Sequence, residues 1–468
     1  MEGVGGSEMV ESLFGVQKSG STVGREILAG LTTFMVMAYI IFVNPAILSF
    51  SGLKDFQGLG PGFAPTLAAT CLVAGVMTIL MGVIANYPLA IASGMGLNAV
   101  VAFQLIVSLK LAWPAAMGVI FTEGLIITIL VLTGFREAVM SAIPVSLKQA
   151  ISVGIGLFIL FIGLVSGGFV KAGVGIPVTL GDFNSVPALV AILGLFITIL
   201  LMSMRVSGAL LIGIVLTTLV AIAFNAMSGY KAFTTPGMAV IPAQLVSWPD
   251  FSTFGKGLNF QVFSHLGVLT AALTIFSIML ADFFDTMGTV IGIGGKAGWL
   301  DSKGNLPRLN RVLLIDSLGA AFGGIASASS ATTYIESAAG VSEGGKTGLA
   351  SVVTGVLFLL ALFFSPLAAV VPPQATAPAL ILVGFLMCAI VREIQFDDFE
   401  EGFPALMTMV IMPFTYSITN GIGAGFVTYT FIKLARGKGR DVHWVMYLVS
   451  LAFLVYFAMG WVQGLLAS

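Results

Sequence analysis

The chain has 468 residues, of which 58% are hydrophobic and only 9% are charged, and its mean hydropathy is +1.07. A soluble globular domain carries about 25% charged residues, so this composition excludes an ordinary soluble domain. The net charge of −1 gives no electrostatic basis for binding nucleic acid. Cys71 and Cys388 lie inside apolar runs, which argues against a disulfide framework.

Apolar blocks recur along the chain, and each is about long enough to cross the ~30 Å hydrocarbon layer of a bilayer. They predict two sets of seven spans, at 27–47, 65–85, 90–108, 112–133, 146–168, 187–204 and 207–227, then at 265–291, 309–327, 332–342, 346–371, 375–391, 404–418 and 420–436. A last apolar block covers 443–465; whether it is an additional span, and hence on which side the C-terminus lies, is left open.

Basic residues orient these spans. Most Lys and Arg residues, among them Arg25, Arg205, Arg311 and Lys433, fall on the side of the membrane that holds the N-terminus. The positive-inside rule then predicts a cytoplasmic N-terminus. The acidic start of the chain also lacks the basic region of a cleavable signal peptide. We expect a multi-pass protein of the bacterial plasma membrane.

Seven spans followed by seven more predict an internal duplication. The segments DFNSVPALVAIL at 182–193 and DFEEGFPALMTMV at 398–410 support it weakly. An odd number of spans per half forces the halves into opposite orientations, as in many secondary transporters. The expected fold is therefore an all-α polytopic membrane protein with about 14 transmembrane segments in a 7+7 inverted repeat.

The third and tenth spans are unusual, because YPLAIASGMGLNAVV at 87–101 and GGIASASSATTYIESAAGV at 323–341 are rich in small residues. Interrupted segments at matching positions indicate the binding site of a transporter. We expect two broken half-helices that meet near the membrane midplane and point free N–H groups inward. The alternative is a pair of closely packed helix interfaces, which also use small residues.

Acidic side chains inside apolar spans are the strongest functional signal, since a charge there costs at least ~2.5–3.5 kcal/mol. Asp282 and Asp285 lie in LADFFDTMGTV, and Glu336 and Asn98 lie near the starts of the expected half-helices. Asp316 lies near the end of an expected span, so we expect it at the membrane–water interface. Carboxylates, an amide and helix N-termini suit a small, flat, mostly neutral molecule with N–H donors and acceptors on its edge, and a nucleobase meets these requirements.

The candidate substrate-binding residues are Asp282, Glu336, Asn98, Ile335 and Leu97; those for proton coupling or support of the site are Asp285 and Glu123; those for stacking are Phe283 and Tyr334. Glu123 and Asn98 could instead serve structure alone. No metal or cofactor is expected. The Asp-x-x-Asp spacing also occurs in magnesium-dependent membrane transferases, but a second acidic cluster and embedded basic residues are missing. An anion carrier of the same fold and a purine receptor that does not transport are two further hypotheses.

Four segments, REILAGLTTFMVMAYIIFVNPAIL (25–48), SGMGLNAV (93–100), LADFFDTMGTVIGIGGKAG (280–298) and SSATTYIESAAGVSEGGKTGL (329–349), resemble the AzgA-like adenine/guanine/hypoxanthine permeases. These belong to the xanthine/uracil (nucleobase–cation symporter) permease superfamily. The resemblance implies a transporter rather than an enzyme, with proton-coupled purine uptake by an elevator-like motion, often in homodimers. It assigns the base to Asp282 and Glu336, requires Asn98, and gives Asp285 a supporting or proton-coupling role.

The resemblance also implies a division into domains. A cytoplasmic tail covers 1–24, a core domain covers 25–134 and 265–371, a gate domain covers 135–228 and 372–468, and an extracellular connector covers 229–264. A further hypothesis concerns the transport mechanism: protonation from outside would allow the base to bind, and deprotonation inside would favour its release.

Overall fold

The computed structural model describes residues 4–51, 53–134, 142–173, 175–233, 237–301 and 306–467. Within those ranges, ten helices are long and apolar enough to cross a membrane. The expected total of about fourteen spans stays a prediction, and the start of the expected gate domain at 135 lies outside the described residues.

The elements follow in chain order. They are α1 (Val4–Phe14), α2 (Val23–Met37), α3 (Ile40–Leu48), α4 (Phe63–Leu80), β1 (Ile91–Ser93), α5 (Met95–Ala99), α6 (Trp113–Thr133), α7 (Val145–Ser166), β2 (Val170–Lys171), β3 (Thr179–Leu180), α8 (Val186–Ser203), α9 (Ala209–Met227), α10 (Val262–Leu266), α11 (Val268–Ala297), α12 (Leu309–Ala326), β4 (Ala331–Thr333), α13 (Ser337–Ser342), α14 (Gly348–Ala361), α15 (Ser365–Ala369), α16 (Pro373–Cys388), α17 (Phe399–Thr415), α18 (Ile418–Ala435) and α19 (Trp444–Ala467). A π-helical segment, Val100–Ser108, continues α5.

The helices pack into two groups. The first, called the α2 group, contains α2, α3, α4, α6, α12, α13 and α14. The second, called the α16 group, contains α7, α8, α9, α16, α17, α18 and α19. The long helix α11 lies between them, against α6 and β4 on one side and α7 and α18 on the other.

Reciprocal glycines let helix backbones approach closely inside each group. A Cβ on Gly355 would lie 2.6 Å from the Gly75 carbonyl oxygen, and a Cβ on Gly384 would lie 2.5 Å from that of Gly156. Without a hydrophobic driving force in lipid, such close packing is a main source of helix association. The small residues therefore fix the α4–α14 and α7–α16 crossings.

Two short extended segments meet inside the protein. Strands β1 and β4 pair antiparallel in the register Ile91↔Thr333, Ala92↔Thr332 and Ser93↔Ala331, and all six residues are buried. The pairing continues at both ends, where Gly94 N–H donates to the Ser330 carbonyl and Tyr334 N–H donates to that of Ala90. The ladder satisfies backbone groups where water is scarce, and it leads directly into α5 and α13.

A glutamine joins the two helix groups. Gln104, on the π-helical segment, is 2% exposed. Its Oε1 accepts from Ile418 N–H at 2.9 Å and its Nε2 donates to Thr419 Oγ1 at 2.6 Å. Ile418 is the first residue of α18, so its N–H has no partner within that helix. The π-helical segment packs against α6 and α3, so Gln104 supplies the missing acceptor from the opposite group.

An ionic cluster lies at the start of α17. The buried Glu400 carboxylate contacts Lys433 Nζ at 2.8 Å, Lys438 Nζ at 2.7 Å and Arg436 Nε at 3.0 Å. Lys438 and Arg436 are exposed, so this end of the helix faces water. The two lysines lower the pKa of Glu400 from 4.5 to about 2.

We expect Gln104→Met to lower the thermal unfolding midpoint of detergent-solubilised protein. The change leaves the Ile418 N–H buried and unpaired, which costs about 1–3 kcal/mol. The matched control is Gln149→Met, because Gln149 makes an exposed bond to Glu393 at 3.2 Å and its loss should have little effect. Equal midpoints for both variants would contradict the role given to Gln104.

A pH-dependent effect follows from Glu400. Its folded-state pKa is depressed, so its contribution to stability is present above about pH 4.5 and is lost as the pH falls through about 2. Glu400→Gln should therefore lower the unfolding midpoint at pH 7, and the gap to wild type should narrow on acidification below pH 4.5. The exposed Asp397→Asn serves as the control. A gap that is constant with pH would refute the assignment.

Candidate functional site

A small, partly open cavity of about 70 Å³ lies beside the paired strands. Its lining residues are Tyr39, Met95, Gly96, Asp285, Thr289, Thr332, Thr333, Tyr334, Ile335, Glu336, Val383 and Met387. Most lie on α5, on α11 and in the segment from β4 to Glu336, whereas Val383 and Met387 lie on α16. The cavity is therefore formed where the two helix groups face each other.

Two carboxylates line this cavity, Asp285 and Glu336. The Tyr39 hydroxyl donates to Glu336 Oε1 at 2.6 Å, and the Thr332 hydroxyl is within hydrogen-bonding reach of Asp285. Both acids are partly exposed to the cavity. They can accept hydrogen bonds from N–H groups of a ligand, and the surrounding hydroxyls can donate to its acceptors.

Tyr334 and Ile335, both sequence candidates, also line the cavity. The Tyr334 hydroxyl donates to the Ser93 carbonyl, so the ring is held against the strand pair. Ile335 is 47% exposed and offers an apolar surface. The segment that follows β4 thus contributes three consecutive residues to the site.

Asp282 does not line this cavity. It is 1% exposed, its Oδ2 accepts from Ser330 Oγ at 3.2 Å, and its Oδ1 has no hydrogen-bond donor. It lies beside Glu123 on α6. The structure therefore brings Glu336 together with Asp285, not with Asp282, because residues three apart on a helix point in directions that differ by about 60°.

Three more candidates lie outside the lining. Asn98 is fully buried, and both polar atoms of its side-chain amide lack a partner. Leu97 is buried in the hydrophobic core, and Phe283 packs edge-on against Phe284 with ring centroids 6.0 Å apart. The short helix that carries Asn98 contributes Met95 and Gly96 to the cavity instead.

Asp316, on α12, holds the cavity wall in place. Its Oδ1 accepts from the backbone N–H and the hydroxyl of Thr333 at 2.8 and 2.7 Å, and its Oδ2 accepts from the Thr286 hydroxyl at 2.7 Å. The interpretation of Asp316 as interfacial is wrong, because it is 5% exposed and lies in mid-helix. It ties β4 to α11, and only its position in an apolar helix could have indicated this in the sequence.

The sequence profile of a permease family, the xanthine/uracil permeases, matches residues 24–424. The chain belongs to the xanthine/uracil permease family. As a permease it is a membrane transporter rather than an enzyme. Guanine/hypoxanthine permease PbuG of Bacillus subtilis is 41% identical over 96% of this chain and 99% of its own length. Adenine permease AdeQ of Escherichia coli is 40% identical over 96% of both chains.

Solved structures show the fold of this permease. The transmembrane domain of the cyanobacterial bicarbonate transporter BicA has a TM-score of 0.60 at 15% identity, and covers 86% of this chain and 96% of its own. The murine anion transporter Slc26a9, in its inward-facing state, has a TM-score of 0.62 at 12% identity, and covers 92% of this chain and 72% of its own. The predicted class, an all-α polytopic membrane protein of the 7+7 type, is confirmed.

We expect Asp316→Ala to destabilise the permease strongly, because it leaves the Thr333 N–H and two hydroxyls without an acceptor, at about 1–3 kcal/mol for each buried group. Asp316→Asn keeps one acceptor oxygen and should cost less. Unfolding midpoints and the yield of monodisperse protein measure both effects, with the exposed Asp250→Asn as control. The role fails if Asp316→Ala is as stable as the control.

Proposed function

We propose that this permease takes up purine nucleobases by proton symport, in an elevator-type cycle of alternating access. The observation that carries the proposal is the cavity with two carboxylates, Asp285 and Glu336, and no basic side chain among its described lining residues. Relatives named as guanine/hypoxanthine and adenine permeases align over 96% of the chain, which supports a purine as the substrate.

The arrangement fits the edge of a purine. Carboxylate oxygens of Asp285 and Glu336 accept from ring or exocyclic N–H groups, which makes charge-assisted hydrogen bonds. Hydroxyls of Thr289 and Thr332 donate to a carbonyl or ring nitrogen. Tyr334 and the apolar Met95 offer flat contact area beside these polar groups.

The acidic lining of the cavity argues against an anion as the substrate. Two negative groups without a nearby cation repel an anion. The bicarbonate and anion transporters of similar structure are only 12–15% identical, so they support the fold and not the substrate.

The elevator motion would move the α2 group, as the core, against the α16 group, as the gate. In this conformation Gln104 and Phe103 of the core contact the start of the gate helix α18 and Tyr416, with the Phe103 and Tyr416 rings 5.6 Å apart. We assign this closed contact to the extracellular side and the cavity to the cytoplasmic side, which makes the conformation inward-facing. Cytoplasmic placement of the N-terminus in the plasma membrane, and assembly as a homodimer, belong to the same proposal.

The test is uptake of labelled hypoxanthine into proteoliposomes, with a panel of competing bases, with and without an inward proton gradient. Glu336→Gln and Asp285→Asn should each reduce uptake at least about tenfold, because each removes a charge-assisted bond of about 1.5–3 kcal/mol. Purines should compete and inorganic anions should not.

The matched control is Glu343→Gln, since Glu343 ends the same short segment but is exposed and outside the cavity. It should transport like wild type. Uptake by Glu336→Gln at the level of the control would remove this cavity from the transport pathway, and competition by anions instead of purines would overturn the substrate.

A further inference from the structure

Two carboxyl groups outside the cavity have oxygen atoms without a hydrogen-bond donor. Glu123 on α6 is fully buried, and neither of its carboxyl oxygens has a donor. Asp282 on α11 is 1% exposed, and its Oδ1 has none either. Buried polar atoms are almost always paired, so three unsatisfied oxygens on two neighbouring acids need a physical explanation.

The two carboxyl groups lie within hydrogen-bonding reach of each other. Two carboxylates this close, away from water, cannot both carry a charge without a large repulsive cost. A single proton resolves the conflict, because it turns one acid into an O–H donor and the other into its acceptor. Carboxylate dyads that share one proton follow the same logic.

We propose that Glu123 and Asp282 form the proton-carrying site of this transporter, one proton binding between the two carboxyl groups in each cycle. The inference rests on the proposed function, whose cavity it leaves unchanged. On loading, a proton from water adds to a lone pair of one carboxylate, and the resulting O–H donates to the other. On unloading, that O–H bond breaks, the proton leaves to water and the carboxylate is restored.

The surroundings are acidic. Asp316 on α12 faces both members of the pair, and Asp285 faces Asp282 from one turn along α11. The Ser330 hydroxyl donates to Asp282 at 3.2 Å. Acidic groups therefore face the pair both from α12 and from its own helix α11.

The pair and the cavity share structural elements but no residues. Asp282 is one helical turn from the cavity residue Asp285, and Ser330 immediately precedes β4, whose Thr332 and Thr333 line the cavity. Loss of the proton leaves two adjacent charges that repel, which pushes α6 away from α11 and loosens the support of β4. Proton occupancy is thereby linked to the geometry of the base site.

The test separates transport from coupling. In Glu123→Gln the amide donates to Asp282 without any proton, so the variant should fold and stay locked in the loaded geometry. We expect exchange of labelled hypoxanthine for unlabelled hypoxanthine within about twofold of wild type, and gradient-driven accumulation reduced at least about tenfold. Glu26→Gln, which alters a buried carboxylate that accepts from the Lys346 and Thr347 N–H groups, is the matched control and should keep accumulation.

A second readout does not depend on purine transport. Infrared spectroscopy of the purified protein at neutral pH should show the C=O stretching band of a protonated carboxylic acid, and Glu123→Gln should remove it while Glu26→Gln keeps it. Absence of that band in wild type, or full accumulation by Glu123→Gln, overturns the proton site. A wild type that moves no purine but shows the band defeats the proposed substrate and leaves the proton site standing.

Discussion

The paired strands β1 and β4 are the constraint on which the rest of this structure depends. Two extended segments in an apolar interior would leave backbone groups unpaired, at several kcal/mol for each in hydrocarbon. Their antiparallel ladder removes that cost. The Tyr334 hydroxyl adds a bond across the pair to the Ser93 carbonyl, and the Asp316 carboxylate ties β4 to α12. Because the ladder is fixed, the cavity residues that follow β4 hold fixed positions as well.

Acidic side chains in the interior differ in how their charge is handled. Glu26 receives two backbone N–H groups, and Asp316 receives one N–H and two hydroxyls. In both carboxyl groups each oxygen has at least one hydrogen-bond donor. Among the described residues, the hydrogen-bond geometry assigns no donor to either carboxyl oxygen of Glu123, whereas Glu336 faces a cavity and accepts from the Tyr39 hydroxyl. A carboxylate with unused acceptor capacity can bind a ligand or a proton reversibly, so the donor sets distinguish the acids of the two proposals from those that only support the fold.

Composition and the length of the apolar runs were enough to predict the fold class, because a bilayer permits few structures besides helices. The small residues around 91–93 and 331–333 indicated that the helices are interrupted there. The pairing register of two strands about 240 residues apart along the chain leaves no local signal in the sequence. The sequence could not show which of Asp282 and Asp285 lines the cavity either, because that depends on how α11 is rotated against its neighbours. The roles of Gln104 and Asp316 could not be predicted for a similar reason, because the N–H groups that they accept from are 314 and 17 residues away in the sequence.

Glu26 has a consequence for how the chain is made. Its carboxylate sits in the first turn of the first long helix, yet the N–H groups that satisfy it belong to residues 320 and 321 positions later. At about 5–20 residues per second, ribosomes need tens of seconds to deliver them. We therefore expect this end of the helix to stay in contact with water during synthesis, until the second half of the protein has been inserted.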